Sequence, residues 1–205
     1  MPNEALVLRK TDYEETSLII NVLTSTGYES LMVKGAKRKN SEKLGICEPI
    51  TLISYEKGRS KTFPLLLEGV ILDSYLDLKD DLLHLSIASI VTDYVLVIKE
   101  SLIDFTKLYR LVLDTLEDMR DNPDPELSLF RFEVLLSTLL GIGIHKNYLQ
   151  SEYEDASLFL PSLNDLFEGK EIESRPALRQ FFSEYYSHEM NIVLKSKKLY
   201  WSLVN

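Results

Sequence analysis

Ser17–Val33 reads SLIINVLTSTGYESLMV, and how this stretch is interpreted decides the fold. Ser17–Thr24 is rich in Ile, Leu and Val, the residues that suit a pleated, half-buried surface. Ser25-Thr26-Gly27 supplies a turn, and Tyr28–Val33 runs back, so the two segments are expected to form a hairpin. Working outward, Ala5–Lys10 and Ile50–Lys57 are strand-like, the latter closed by Gly58-Arg59. Phe63–Leu67 and Val70–Tyr75 add one or two more strands. So many short strands in so little chain suit a small closed barrel, which also removes the exposed edges of a small sheet.

Around residue 77 the period becomes helical. Asp80–Lys99 is apolar on most faces, which predicts a central, well-buried helix. Asp104–Arg120 is a second helix, with Leu108, Leu111, Val112 and Leu116 at helical spacing. Asn122-Pro123-Asp124-Pro125 breaks it, and a third helix starts at Pro125 or Glu126, runs to Leu140 and is capped by Gly141-Ile142-Gly143. Residues 144–174 read as irregular and acidic, with a short helical piece near Ser162–Glu168. Ser174 caps a last helix carrying Pro176 in its first turn, and this helix is expected to reach about Leu194 or further towards Leu203. The expected class is α+β: a barrel over residues 1–76, then an all-helical part over 77–205.

The chain has 205 residues and a net charge of −9. Residues 1–75 carry 10 basic and 10 acidic side chains, whereas residues 76–205 carry 13 and 22, so the whole excess of acid lies in the helical part. No apolar run approaches the ~20 residues of a membrane span, and Met1-Pro2-Asn3-Glu4 does not open like a secretory signal. With the single cysteine Cys47 a cytoplasmic protein is expected.

Lys34–Lys43, KGAKRKNSEK, is the most informative segment for function. It sets Lys34, Lys37, Arg38, Lys39 and Lys43 against one acid, Glu42, inside an otherwise neutral region. Cations on a loop beside a barrel can track a phosphate backbone, although a merely solvated charged loop has the same composition. Tyr13, Tyr28, Tyr55 and Phe63 lie in or beside the strands, where aromatic rings either stack unpaired bases or fill the barrel. Arg131 sits between Phe130 and Phe132 on a greasy helix. It either pairs with an acid, such as Glu133 or one on another helix, or serves as receptor for a peptide carboxylate.

Catalytic readings find little support. There is no GxxxxGK[ST] phosphate loop. His84, His145 and His188 are far apart, Cys47 lies in an apolar stretch, and the adjacent acids fall at helix ends or in loops. No enzymatic activity and no cofactor are expected.

Taken in order, several of these features resemble the RecO family of bacterial recombination mediators. They are Asp12, Tyr13 and Glu15 in a turn, a T…G hairpin, the KGA-R stretch from Lys34 to Arg38, and the Glu48-Pro49 pair. Arg131–Glu133 followed by Leu-Leu and Gly-Ile-Gly looks like the family's helix before its cysteine-rich insert. Leu194–Tyr200 is similar to its closing segment, with Ser196-Lys197 where Ser-Arg is usual. The resemblance implies an N-terminal OB-fold followed by a helical domain. It implies a non-enzymatic DNA repair protein that binds single- and double-stranded DNA, anneals strands and works with RecR. Such a protein helps load recombinase onto DNA coated by single-stranded-DNA-binding protein, whose C-terminal tail it docks. By position, Lys34, Lys37, Arg38, Lys39 and Lys43 become the DNA contacts, Arg131 the tail-docking cation, and the location cytoplasmic and nucleoid-associated. One departure is clear: many relatives carry a four-cysteine zinc site, whereas IHKNYLQSEYEDASLFLP has no cysteine, so no zinc is expected. Acidic helices repel phosphates, so DNA contact is expected on the barrel side only. A protein-interaction adaptor with weak or no DNA binding is the alternative.

Overall fold

The computed structural model describes residues 3–59, 63–98, 103–145, 149–150, 153 and 156–204. Five strands, β1 (Asn3–Tyr13), β2 (Ser17–Thr24), β3 (Gly27–Val33), β4 (Thr51–Gly58) and β5 (Leu65–Asp73), close into a barrel in the order β1-β2-β3-β5-β4. The pairs are antiparallel except the β3–β5 seam, which rests on Met32 opposite Leu65. A short helix, α1 (Lys43–Ile46), lies between β3 and β4. This closed five-stranded barrel is an OB-fold.

Strand alternation explains the closure. Ala5, Val7, Leu18, Ile20, Val22, Leu31, Val33, Ile53 and Tyr55 fill the interior, and Ile46 and Cys47 from α1 and its cap complete this core. The opposite parity of β1 and β2 is also apolar in part: Leu6, Leu8 and Leu23 point outward and join the core of the helices. Both faces of these strands are therefore buried where the helices cover them.

Of the one or two strands expected over Phe63–Leu67 and Val70–Tyr75, there is one, β5, which runs continuously through Glu68-Gly69. The chain accommodates this pair with a register shift opposite Glu56 and Lys57. Gly69 is needed there for close approach: a Cβ would lie 3.3 Å from Ile46 Cγ2 on α1. Strand β1 likewise runs on to Tyr13, past the expected end at Lys10, because residues up to Tyr13 keep pairing with β2.

The helical part follows as α2 (Leu76–Asp80), α3 (Leu82–Val97), α4 (Phe105–Asp121), α5 (Pro125–Leu139), α6 (Ala156–Glu168), α7 (Arg175–Met190) and α8 (Lys197–Val204). Side-chain caps set most of the starts: Asp81 accepts from the His84 amide, Asp104 from Lys107, Asp124 from Leu127 and Ser174 from Ala177. Helix α3 is the central element, with Ile87, Ala88, Ile90, Val91, Tyr94 and Val95 buried. Lys99, expected at its end, and residues 146–148, 151–152 and 154–155 of the expected irregular stretch lie outside the described residues.

Two expectations about the second half are corrected. Helix α6 begins at Ala156 and carries Pro161 within it, so it is longer than the short piece expected near Ser162–Glu168. Burial outweighs the lost backbone bond: Phe159 stacks on Phe181 of α7 with ring centroids 4.3 Å apart. Helix α7 stops at Met190 because Asn191 adopts a left-handed conformation (φ 53°), and α8 is a separate helix.

Buried charges anchor α8. Glu126 accepts from Arg179 at 2.6 Å and from the Tyr200 hydroxyl. Glu133 accepts from Tyr94 at 2.6 Å and from Lys197 at 3.1 Å. Thus the Arg131–Glu133 stretch and the closing Lys197 segment, far apart in sequence, meet in one buried ion pair. The helices also grip the barrel directly. Tyr28 donates to the Val95 carbonyl at 2.6 Å, and Arg120 pairs with Asp73 and Asp77.

Candidate nucleic-acid interface

Antiparallel register lays the outer face of the barrel in rows. Arg9 pairs with Asn21 and Asn21 with Ser30; Thr11 pairs with Ile19 and Ile19 with Met32; Tyr13 pairs with Ser17. Lys34 follows directly after β3. The helices cover the Leu23–Tyr28 end of this face, and Leu96 of α3 borders the Arg9–Asn21–Ser30 row. Tyr13 and Phe63 meet edge to face at 6.3 Å, both half-buried. Arg9 is exposed and, among the described residues, has no ion-pair partner.

The basic loop begins at the edge of this face. Gly35 takes φ +73°, a left-handed conformation natural to glycine, and the Arg38 amide returns to its carbonyl at 3.1 Å. The Arg38 side chain lies back across Gly35, where a Cβ would stand 3.4 Å from its Cδ and Nε. Ala36 is fully buried and roots the loop in the barrel. Lys34, Arg38 and Lys39 are exposed, and among the described residues they form no ion pair.

Lys37 differs from these three. Its amide donates to the Thr16 carbonyl at 2.9 Å, its ammonium donates to the Glu14 carbonyl at 3.2 Å, and it pairs with Asp12 at 3.2 Å. It ties the basic loop to the β1–β2 turn. Lys43 is half-buried and opens α1, so the expected loop run of five cations divides into three displayed, one clamping and one helical.

The aromatics divide as well. Tyr55 is 1% exposed inside the barrel and donates to Glu29 at 3.0 Å; burial and the Glu29 carboxylate push its phenol pKa upward. Tyr28 is spent on the Val95 carbonyl and the edge of Phe105. Both are structural, which leaves Tyr13 and Phe63 at the surface.

Arg131 is 46% exposed on α5 and stands 3.8 Å from Asp118 of α4. Of the acids considered for it, one on another helix, Asp118, is the nearer partner, whereas Glu133 points inward to Tyr94 and Lys197, and burial pushes its carboxyl pKa up. One turn beyond Arg131, Leu135 borders an open groove of about 500 Å3 between α4 and α5, lined also by Lys107, Arg110, Leu111, Asp114 and Leu139. Lys107 and Arg110 escaped the sequence reading, although their spacing of three along α4 places them on one helix face. Arg9 escaped it because only the strand register brings it beside Asn21.

Among the described residues no group of three or more His, Cys, Asp or Glu side chains is placed to hold a metal ion, and no helix is long and apolar enough to cross a membrane.

Residues 1–91 match the family model described as Recombination protein O N terminal. The DNA repair protein RecO of Halalkalibacterium halodurans is 30% identical over 140 residues, covering 68% of this chain and 55% of that protein. RecO of Bacillus subtilis is 26% identical over 146 residues, covering 71% and 57%. RecO of Hamiltonella defensa is 32% identical over 155 residues, covering 69% and 61%. The chain thus spans somewhat over half the length of the curated relatives it matches. Barrel topology, the family model and these relatives agree, and the chain belongs to the RecO family.

Proposed function

We propose that this protein is a non-enzymatic DNA repair and recombination mediator that binds single- and double-stranded DNA and promotes strand annealing. In this reading residues 1–76 carry the DNA and residues 77–205 dock protein. The observation that carries it is the trio Lys34, Arg38 and Lys39, exposed and without carboxylate partners among the described residues, beside Arg9 and the Tyr13–Phe63 pair. Cations there hold phosphates and leave base edges free to pair with a second strand. The acidic helices repel the same strands and keep them on the barrel.

The groove between α4 and α5 suits a short peptide that carries an acidic group: Leu111, Leu135 and Leu139 offer apolar contact, Lys107 and Arg110 line it together with Asp104 and Asp114, and Arg131 stands one turn from Leu135, outside the lining. The C-terminal tail of single-stranded-DNA-binding protein is the proposed occupant, which delivers the mediator to coated DNA for recombinase loading. RecR is the second proposed protein partner, and the proposed location is cytoplasmic and nucleoid-associated. The test is annealing of complementary strands by the wild type and by the Lys34/Arg38/Lys39→Ala variant. Loss of annealing in the variant supports the reading; unchanged annealing moves the DNA site elsewhere, and no DNA binding by the wild type favours the adaptor alternative.

A further inference from the structure

Where the open barrel face meets α3 there is a partly enclosed cavity of about 180 Å3. Its floor is the row Arg9, Asn21 and Ser30, and its walls include Tyr28 and Leu96. Sites for drug-sized ligands run to ~300–1,000 Å3, so this one is too small for a whole nucleotide. At ~30 Å3 per water it holds the volume of roughly six waters, which is the scale of one flat heteroaromatic ring.

The lining has the chemistry to read such a ring. Asn21 Nδ2 donates to Ser30 Oγ at 2.8 Å. This fixes the amide orientation, with Asn21 Oδ1 left as an acceptor and the Ser30 hydroxyl proton as a donor. Leu96 supplies an apolar surface. The Tyr28 wall is rigid, because its hydroxyl is held by the Val95 carbonyl and its ring by Phe105. Glu29 also borders the cavity, but its carboxylate is occupied by Tyr55 and Lys57. Arg9, exposed at the mouth and without an ion-pair partner among the described residues, is placed for a phosphate. From Ser30 to Lys34 is four residues along one strand direction, about 13 Å, so the cavity and the basic loop lie on one track.

We infer that this cavity is a pocket for a single unpaired base of a bound strand, with Asn21 and Ser30 meeting the base edge and Arg9 the adjoining phosphate. The inference rests on the proposed DNA-binding reading and deepens it, since it separates single strands from duplex. A base held in a stack and pair has no access to a cavity closed on one side by α3, whereas an unstacked base does.

The test is fluorescence anisotropy with a labelled single strand and a blunt duplex of equal length. The proteins are the wild type, Asn21→Leu, Ser30→Val and the Lys34/Arg38/Lys39→Ala variant. The expected result is a loss of single-strand affinity of about tenfold in each pocket variant, the scale of one lost base contact, with duplex affinity unchanged. Unchanged duplex binding also certifies that the pocket variants are folded. A strand carrying 2-aminopurine should show an emission rise with the wild type that Asn21→Leu abolishes. Equal loss on both DNAs would overturn the inference by making the row a backbone contact. Unchanged single-strand affinity in the pocket variants, with the loop variant losing both DNAs, would overturn the pocket and leave the DNA-binding reading intact. A loop variant that loses neither would refute that reading instead.

Discussion

Replacing Lys34, Arg38 and Lys39 with alanine removes three of the four cations proposed to meet the strand, all exposed and without an ion pair among the described residues, and leaves Arg9. Each phosphate contact with a single strand contributes about −0.7 to the slope of log affinity against log salt. Four contacts give a slope of about −2.8, so raising salt fourfold, from roughly 50 to 200 mM, weakens binding about 50-fold. The triple variant retains a slope of about −0.7, and the same change of salt weakens it only about threefold. Lys37→Ala is the internal control. Its ammonium is already engaged by Asp12 and the Glu14 carbonyl, so its removal should change the slope by less than one full contact. The assay is anisotropy titration of a labelled single strand at four salt concentrations. A triple variant with the wild-type slope, or a Lys37→Ala slope change as large as that of the triple variant, would refute the division of the loop into displayed and clamping cations.

Three further outcomes are expected. Lys197→Met strands Glu133 in the interior without its cation, which costs about 3 kcal/mol or more and lowers the melting temperature; an unchanged melting curve would show that the Glu133–Lys197 pair does not anchor α8. Tyr28→Phe should cost about 1–2 kcal/mol through the bond lost to the Val95 carbonyl and leave duplex DNA affinity as it was; loss of duplex binding at unchanged stability would make Tyr28 a DNA contact after all. Hydrogen bonding to Arg120 and to Arg175 holds the Asp73 and Asp124 carboxyls below their ordinary values. Their contribution to stability is therefore complete above the unfolded carboxylate range, about pH 4, and is lost as pH falls through the depressed folded values. Burial raises Glu133, so its contribution runs the other way and is lost as pH rises above the unfolded value. Urea unfolding as a function of pH should show Asp124→Asn flattening the acid limb; an unchanged limb would mean that the Arg175 pair is not formed.

The barrel was readable because its strands are short runs rich in Ile, Leu and Val punctuated by turn residues, as at Ser25-Thr26-Gly27. Helix starts were readable where a capping side chain stands beside proline, as at Asp124-Pro125 and Ser174. The rest was decided by packing at long range. Whether one strand or two run through Gly69 was settled by its close approach to Ile46, and the length of α6 beyond Ser162–Glu168, through Pro161, by Phe159 on Phe181. The site follows the same division. Charge density located the basic loop, yet nothing local marked Lys37 as the residue tied to Asp12 and Glu14. Tyr55 and Tyr13 carry equal signals in sequence, and only closure of the barrel sends one inward. The row Arg9–Asn21–Ser30 exists only once three strands are in register. For Arg131 the sequence left open Glu133 or an acid on another helix, and the helical period, which turns Glu133 to a different side, decides for Asp118 of α4.

The central claim is that nucleic acid is gripped by the barrel loop and its adjoining face while the acidic helices stay clear. Amide hydrogen exchange of the protein with and without single-stranded DNA tests it most directly. The expected result is slower exchange in Lys34–Lys43 and along β1 to β3, with α4, α5 and α7 unaffected. Protection confined to the helices, with the loop exchanging as it does without DNA, would contradict it.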